Sequence, residues 1–279
     1  MMFTTNPFAA LSASISPTVM QTFVIVMIAF VVVGTLFDIV HKGSARFFFE
    51  KMRKAQHAAS KPVSGGDKIG IAVQTGMVDV LTSAEFCNPR RRIAHLLGMY
   101  GFVAYALATF MMVFFYPSSD AAGFWAPLWW IGALAVCVGG YWFWFFIRAD
   151  VSAEGQSPFR LMRADLFILS LLASCTAGLI WAYLQAHGSD WSTLFLGIYL
   201  IATVVLFGGV PWSKFSHMFF KPAAAFQKRI AKADGSRNNL PEPADRTNPA
   251  DRDRHSMELL KAAPLNMGLG IKREAPRHY

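Results

Sequence analysis

All 26 lysines and arginines of this chain lie in three blocks, residues 42–92, 148–163 and 214–277. Before and between the blocks run apolar stretches that no basic residue interrupts. Five of them, at about 19–40, 93–116, 124–147, 166–184 and 191–212, reach the roughly 20 residues that a helix needs to cross about 30 Å of hydrocarbon. They are apolar nearly all round rather than along one stripe, as helices bathed in lipid must be. A soluble core is excluded by count, because too little polar sequence is left to cover five buried helices. The expectation is an all-α membrane protein, a bundle of five transmembrane helices.

Basic loops resist translocation and so mark the cytoplasmic side. The segment before the first run carries no charged side chain, and the connections at 117–123 and 185–190 carry Asp120 and Asp190 but no Lys or Arg. Every crossing then alternates, which predicts the N-terminus outside and the C-terminus inside a bacterial inner membrane. Residues 1–18 form an outer tail and 19–222 the membrane domain, with a cytoplasmic amphipathic loop at 42–92. Residues 223–279 form a cytoplasmic polar tail, rich in proline and mixed charge, which reads equally as a disordered extension or as a segment that docks on a cytoplasmic partner. The first run has no basic residue before it and is too long for a signal core, so it reads as a retained span. The net charge of +9 reads as positive-inside bias plus attraction to anionic membrane lipid, not as a nucleic-acid footprint.

Within the loop, residues 45–56 (ARFFFEKMRKAQ) have the pattern of a helix lying in the interface. Residues 61–67 are a Pro/Gly/Ser break, and 69–85 have the period of a second amphipathic helix lying on the membrane. Trp125, Trp129, Trp130, Trp181, Tyr183 and Trp191 fall where interfacial aromatic belts belong. Cys87, Cys137 and Cys175 lack the spacing of iron–sulfur or c-type haem ligands.

Of the seven histidines, His57, His187, His255 and His278 fall in loops or tail and read as solvated. His41, His95 and His217 each sit near the basic end of a span. His95 follows Arg92 by three residues, about 4.5 Å deeper along a helix. His217 follows Lys214 by three and precedes Lys221 by four, just past the helix-kinking Pro211. Neutral imidazoles at matched depth are the ligand set of a low-spin b-type haem. Gly98 and Gly101 would give a flat macrocycle room against the His95 helix, and Arg91, Arg92, Lys214 and Lys221 would neutralise its propionates. Interfacial histidines are also common without any ligand, and on composition alone that reading carries more weight. His41 is the reserve ligand. Asp38, three residues before it, shares its helix face. An intramembrane carboxylate is a candidate for bonding an imidazole or exchanging a proton with a quinone; one turn from the interface, it is slightly more expected to snorkel to water.

The stretch at 211–222 (PWSKFSHMFFKP) resembles the end of the last helix in five-helix membrane cytochrome b subunits of the nitrate reductase gamma and heterodisulfide reductase type. There the pattern is Pro, aromatic, Ser or Thr, basic, then a haem-ligand His. Residues 92–98 (RIAHLLG) are similar to their other haem-bearing helix. The resemblance extends most to the membrane proteins associated with dissimilatory adenylylsulfate reductases, through the five spans, the basic first loop and the polar tail. It implies one haem b between His95 and His217, quinone as substrate, and a cytoplasmic flavin/iron–sulfur reductase as partner. The family's second pair of ligands is replaced by Tyr105 and Tyr199, which removes a second, outer haem from that implication. A haem-free membrane anchor or assembly factor is the rival reading. A small transporter is the weaker one, since no repeat or mid-membrane helix break is visible.

Overall fold

Asparagine and proline set where the helices begin. Asn88 caps one span, its side-chain oxygen accepting from the backbone N–H of Arg90 at 2.9 Å, and Pro89 occupies the first helical position. Proline loses nothing there, because that N–H has no partner inside a helix. The span therefore starts at Pro89, four residues before the apolar run does. The computed structural model describes residues 2–41, 44–57, 59–84, 86, 88–120, 122–149, 157–212, 217–237 and 240.

The described chain is helical: α1 (Pro7–Leu11), α2 (Pro17–His41), α3 (Ser44–His57), α4 (Gly65–Gln74), α5 (Pro89–Phe115), α6 (Trp125–Trp142), α7 (Leu166–Ala186), α8 (Trp191–Gly208) and α9 (His217–Ala233). π-helical turns extend α4 through Thr75–Leu81 and α6 through Phe143–Ile147. Five helices are long and apolar enough to cross a membrane, at Pro17–His41, Pro89–Phe115, Trp125–Ile147, Leu166–Ala186 and Trp191–Gly208. The chain is a multi-pass membrane protein. The last span ends four residues earlier than the apolar run, because Gly209 and Pro211 turn the chain into a 3₁₀ segment, Val210–Trp212. Pro211 thus stops the helix rather than kinking it.

Short connections make α5–α6 and α7–α8 antiparallel neighbours, with α6 against α7 and α2 laid along α8. The α5–α6 seam is built from glycine. A Cβ added to Gly101 would come within 2.8 Å of the Gly132 carbonyl oxygen, one on Gly132 within 2.7 Å of the Tyr105 nitrogen, and one on Gly139 within 2.6 Å of the Ala94 carbonyl oxygen. Backbones at that separation need small residues, the usual basis of close packing in lipid. In contrast, α2 buries only Met20, Met27, Gly34 and Asp38, packs Val24 and Val31 partly against the core, and turns most of its other apolar side chains outward. Gly34 lies under Val210 and Pro211, which is where the 3₁₀ turn rests on it.

Two caps close the bundle. At the end away from the arginines, buried Asn6 donates to the carbonyls of Tyr116 at 2.7 Å and Ser119 at 3.2 Å. Its side-chain oxygen accepts from the Phe8 N–H at 3.0 Å, capping α1. The N-terminal segment is thereby folded across the bundle mouth, with Phe8 against Trp129 and Trp181. At the basic end, α3, α4 and the π turn pack with α9. The helix α9 crosses the expected boundary at residue 223, so the polar tail begins folded; residues 241–279 lie outside the described part.

Candidate functional site

His95 and the turn before its helix form a polar and aromatic cluster at the basic end. Ser83 adopts the left-handed region at φ 48° and is buried. That conformation brings its Oγ to 3.1 Å from His95 Nδ1. Phe86 packs on the imidazole with ring centroids 4.9 Å apart. Two cations then converge on the same phenyl ring, Arg91 with its guanidinium carbon 5.8 Å from the centroid and Lys221 with Nζ at 4.9 Å. Arg92 donates from Nε to the Thr82 carbonyl at 2.7 Å, fastening the turn to the span.

Lys221 lies one turn into α9, four residues after His217. The contact of Lys221 with Phe86 brings the first turn of α9 to the neighbourhood of His95, and His217 opens this separate helix rather than ending the last span, which stops at Gly208. The backbone of His217 opens α9, but its side chain and the whole of Lys214 lie outside the described residues. Gly98 faces open space, with no atom within 4 Å of an added Cβ, whereas Gly101 is consumed by the contact with α6. Of the two glycines expected to leave room beside His95, only Gly98 does so.

Asp38 is 3% exposed, so it does not snorkel to water. It lies on the side of α2 that meets the 3₁₀ turn after α8. His41, by contrast, is exposed and stacks on Phe37 at 4.8 Å. The two residues therefore face different surroundings despite their spacing of three, because α2 touches the bundle along one narrow stripe.

Near the middle of the bundle, Tyr105 and Tyr199 meet at Gly178. A Cβ there would come within 3.2 Å of the Tyr105 hydroxyl and 3.4 Å of the Tyr199 ring. Tyr199 stacks on Trp181 at 5.7 Å, and Tyr105 lies 5.3 Å from Trp129. Trp129, Trp130 and Trp181 are thus buried in the bundle rather than set in an aromatic belt, which only Tyr183 and Trp191 of that group match by exposure. Burial follows from the N-terminal cap, which covers this end of the helices.

Sequence reasoning missed three pairings. Ser83 carries no signal of its own, because its role depends on a backbone conformation. Arg148 is 1% exposed and pairs with Asp165 at 2.7 Å, while also donating to the carbonyls of Ser157 at 2.9 Å and Arg160 at 2.8 Å. Its guanidinium lies 4.1 Å over the Trp144 ring. Arg229 clasps Asp79 at 2.6 and 3.0 Å, which raises the guanidinium's pKa further and ties α9 to the π turn. Opposite charges at the two ends of the 148–165 connection were the available clue to the first of these pairs. Among the described residues, no group of three or more His, Cys, Asp or Glu is placed to hold a metal ion.

Compared with known proteins, the chain matches no family model, no curated protein and no solved structure.

Proposed function

We propose that this chain is the membrane subunit through which a redox enzyme on the basic, cytoplasmic face exchanges electrons with quinone, with one b-type haem held between His95 and His217. The observation that carries the reading is the setting of His95. Ser83 Oγ lies 3.1 Å from Nδ1, and a hydrogen bond donated to it from Nδ1 would hold the lone pair on Nε2, the form a haem iron requires. Phe86 fixes the ring plane, and Arg91 and Lys221 supply positive charge for propionates. A bis-histidine haem supplies one-electron transfer without binding oxygen. Arg92 holds the covering turn in place, Lys214 adds to the positive charge, and Gly98 leaves a flat face open. Asp38, buried at the same end, is the candidate for proton exchange with quinone. The partner that fits best is a flavin/iron–sulfur reductase of the adenylylsulfate reductase kind, suggested by the resemblance at 92–98 and 211–222.

A haem-free anchor of the same complex is the second reading. It is favoured by Phe86 lying directly on His95 and by aromatic side chains filling the level of the absent second ligand pair. A dithionite-reduced spectrum of the purified protein separates the two. The cytochrome reading expects a low-spin b-type spectrum that His95→Ala or His217→Ala abolishes and His57→Ala or His187→Ala leaves intact. If His41→Ala removes it and His95→Ala does not, the ligand pair is wrong. A well-folded preparation without haem leaves the anchor as the account.

A further inference from the structure

The helix formed by α4 and its π turn, Gly65–Leu81, has its polarity inverted. The side facing α9 carries buried Thr75 and partly buried Asp79, the latter paired with Arg229. The opposite side presents Ile69, Val73 and Met77, which are 68%, 60% and 57% exposed, followed by Leu81. These four recur at every fourth residue, so they form one stripe. A helix that faces protein with its charge and its surroundings with its aliphatic side chains is arranged for a nonpolar medium.

The end of this helix shows which medium that is. Its last carbonyls are satisfied by the protein itself: Val78 by the Thr82 hydroxyl at 2.7 Å, Leu81 by the Tyr100 hydroxyl at 2.7 Å, and Thr82, just beyond it, by Arg92 at 2.7 Å. Hydrocarbon requires such groups to be paired internally, whereas in water the solvent can also satisfy them. The partners Arg92, His95 and Tyr100 lie along α5 with eight helical steps between the first and the last, about 12 Å along its axis. The turn therefore runs down the span past the arginine level instead of resting above it. Leu81 joins the outward apolar surface of α5, where Tyr100 and Val103 are also exposed. Lys61 and Lys68, both exposed, stand at the other end of the helix, where headgroup phosphates would meet them.

We infer that Gly65–Leu81 is a half-inserted helix whose Ile69–Val73–Met77–Leu81 stripe is buried in the acyl region of the lipid leaflet at the basic end, with α9 clamped over its polar back. Lipid, not a protein partner, covers this face. The inference uses the membrane-spanning fold and does not depend on the haem reading.

Spin labels test it in proteoliposomes of the full chain alone, with Cys87 replaced by Ser. Labels on Val73→Cys and Met77→Cys should be relaxed several-fold more by oxygen than by a water-soluble nickel chelate, and a label on Asp67→Cys should show the reverse. Preference for the chelate at 73 and 77 would place the stripe in water and overturn the inference. Protection from both relaxants would mean a second copy covers it, with the same consequence. In the unmodified chain, a carbene generated on a lipid acyl chain should mark the peptide containing Val73 and Met77. Failure to mark it, while α2 is marked, counts equally against insertion.

Discussion

Arg148 is a charge that the fold has taken out of water and then fully answered. One carboxylate, two backbone carbonyls and an indole face surround its guanidinium. Removing one partner of such a pair strands the other, and the penalty exceeds the worth of the pair itself. Arg148→Ala should therefore lower stability by about 3–5 kcal/mol, read as a lower thermal midpoint in detergent. Asp165→Asn should fall in the same direction, losing in addition the carboxylate that accepts from the Met162 N–H at 2.9 Å. A midpoint unchanged in both variants would mean the connection between α6 and α7 is not held by this pair. Ser83 works at the same scale: one hydroxyl and one left-handed residue decide how His95 is presented, and nothing in the residue type foretells it.

At the scale of the element, helix identity was set by composition, but helix contact was set by where side chains are missing. Gly132 and Gly197 are both glycines in the middle of apolar helices. Gly132 touches the backbone of α5, whereas Gly197 has nothing within 4 Å of an added Cβ. Gly132→Ala should destabilise by about 1–3 kcal/mol through overpacking. Gly197→Ala should be neutral or stabilising by up to about 1 kcal/mol, from helix propensity alone. Paired thermal melts in one detergent check the contrast, and equal losses would remove the close-contact account of the α5–α6 seam. The same logic explains α2, which keeps lipid-facing side chains on most of its surface because only a narrow stripe containing Gly34 touches the bundle.

For the whole molecule, the arrangement of charge makes two predictions. Complete segregation of Lys and Arg predicts that residues 42–92, 148–163 and 214–279 face the cytoplasm. An alkaline phosphatase fused after Ala84 should therefore be inactive, and one fused after Asp120 active. The reverse pattern would remove every inference that depends on sidedness, including the cytoplasmic partner. The second concerns that partner: exposed charges are screened beyond about 8 Å at physiological ionic strength. Membranes carrying the protein should retain the proposed reductase partner at low salt and release most of it at high salt. Retention indifferent both to salt and to loss of residues 223–279 would exclude an electrostatic dock.

The sequence by itself determined the number of spans and their approximate limits, because the cost of placing a charge in hydrocarbon is local and shows in any window of the chain. It also located the amphipathic segments of the first loop, whose periodicity is likewise local. It did not determine which side of each apolar helix faces protein, since lipid-exposed and buried faces are equally apolar. For that reason Trp129, Trp130 and Trp181 read as belt residues until the N-terminal cap enclosed them. Asp38 read as snorkelling, whereas the packed bundle buries it. The pairing of Ser83 with His95, of Arg148 with Asp165 and of Asp79 with Arg229 joins residues 12, 17 and 150 positions apart. Such contacts exist only once the helices have packed, and packing in lipid is governed by close backbone approach and hydrogen bonding rather than by a pattern of polarity.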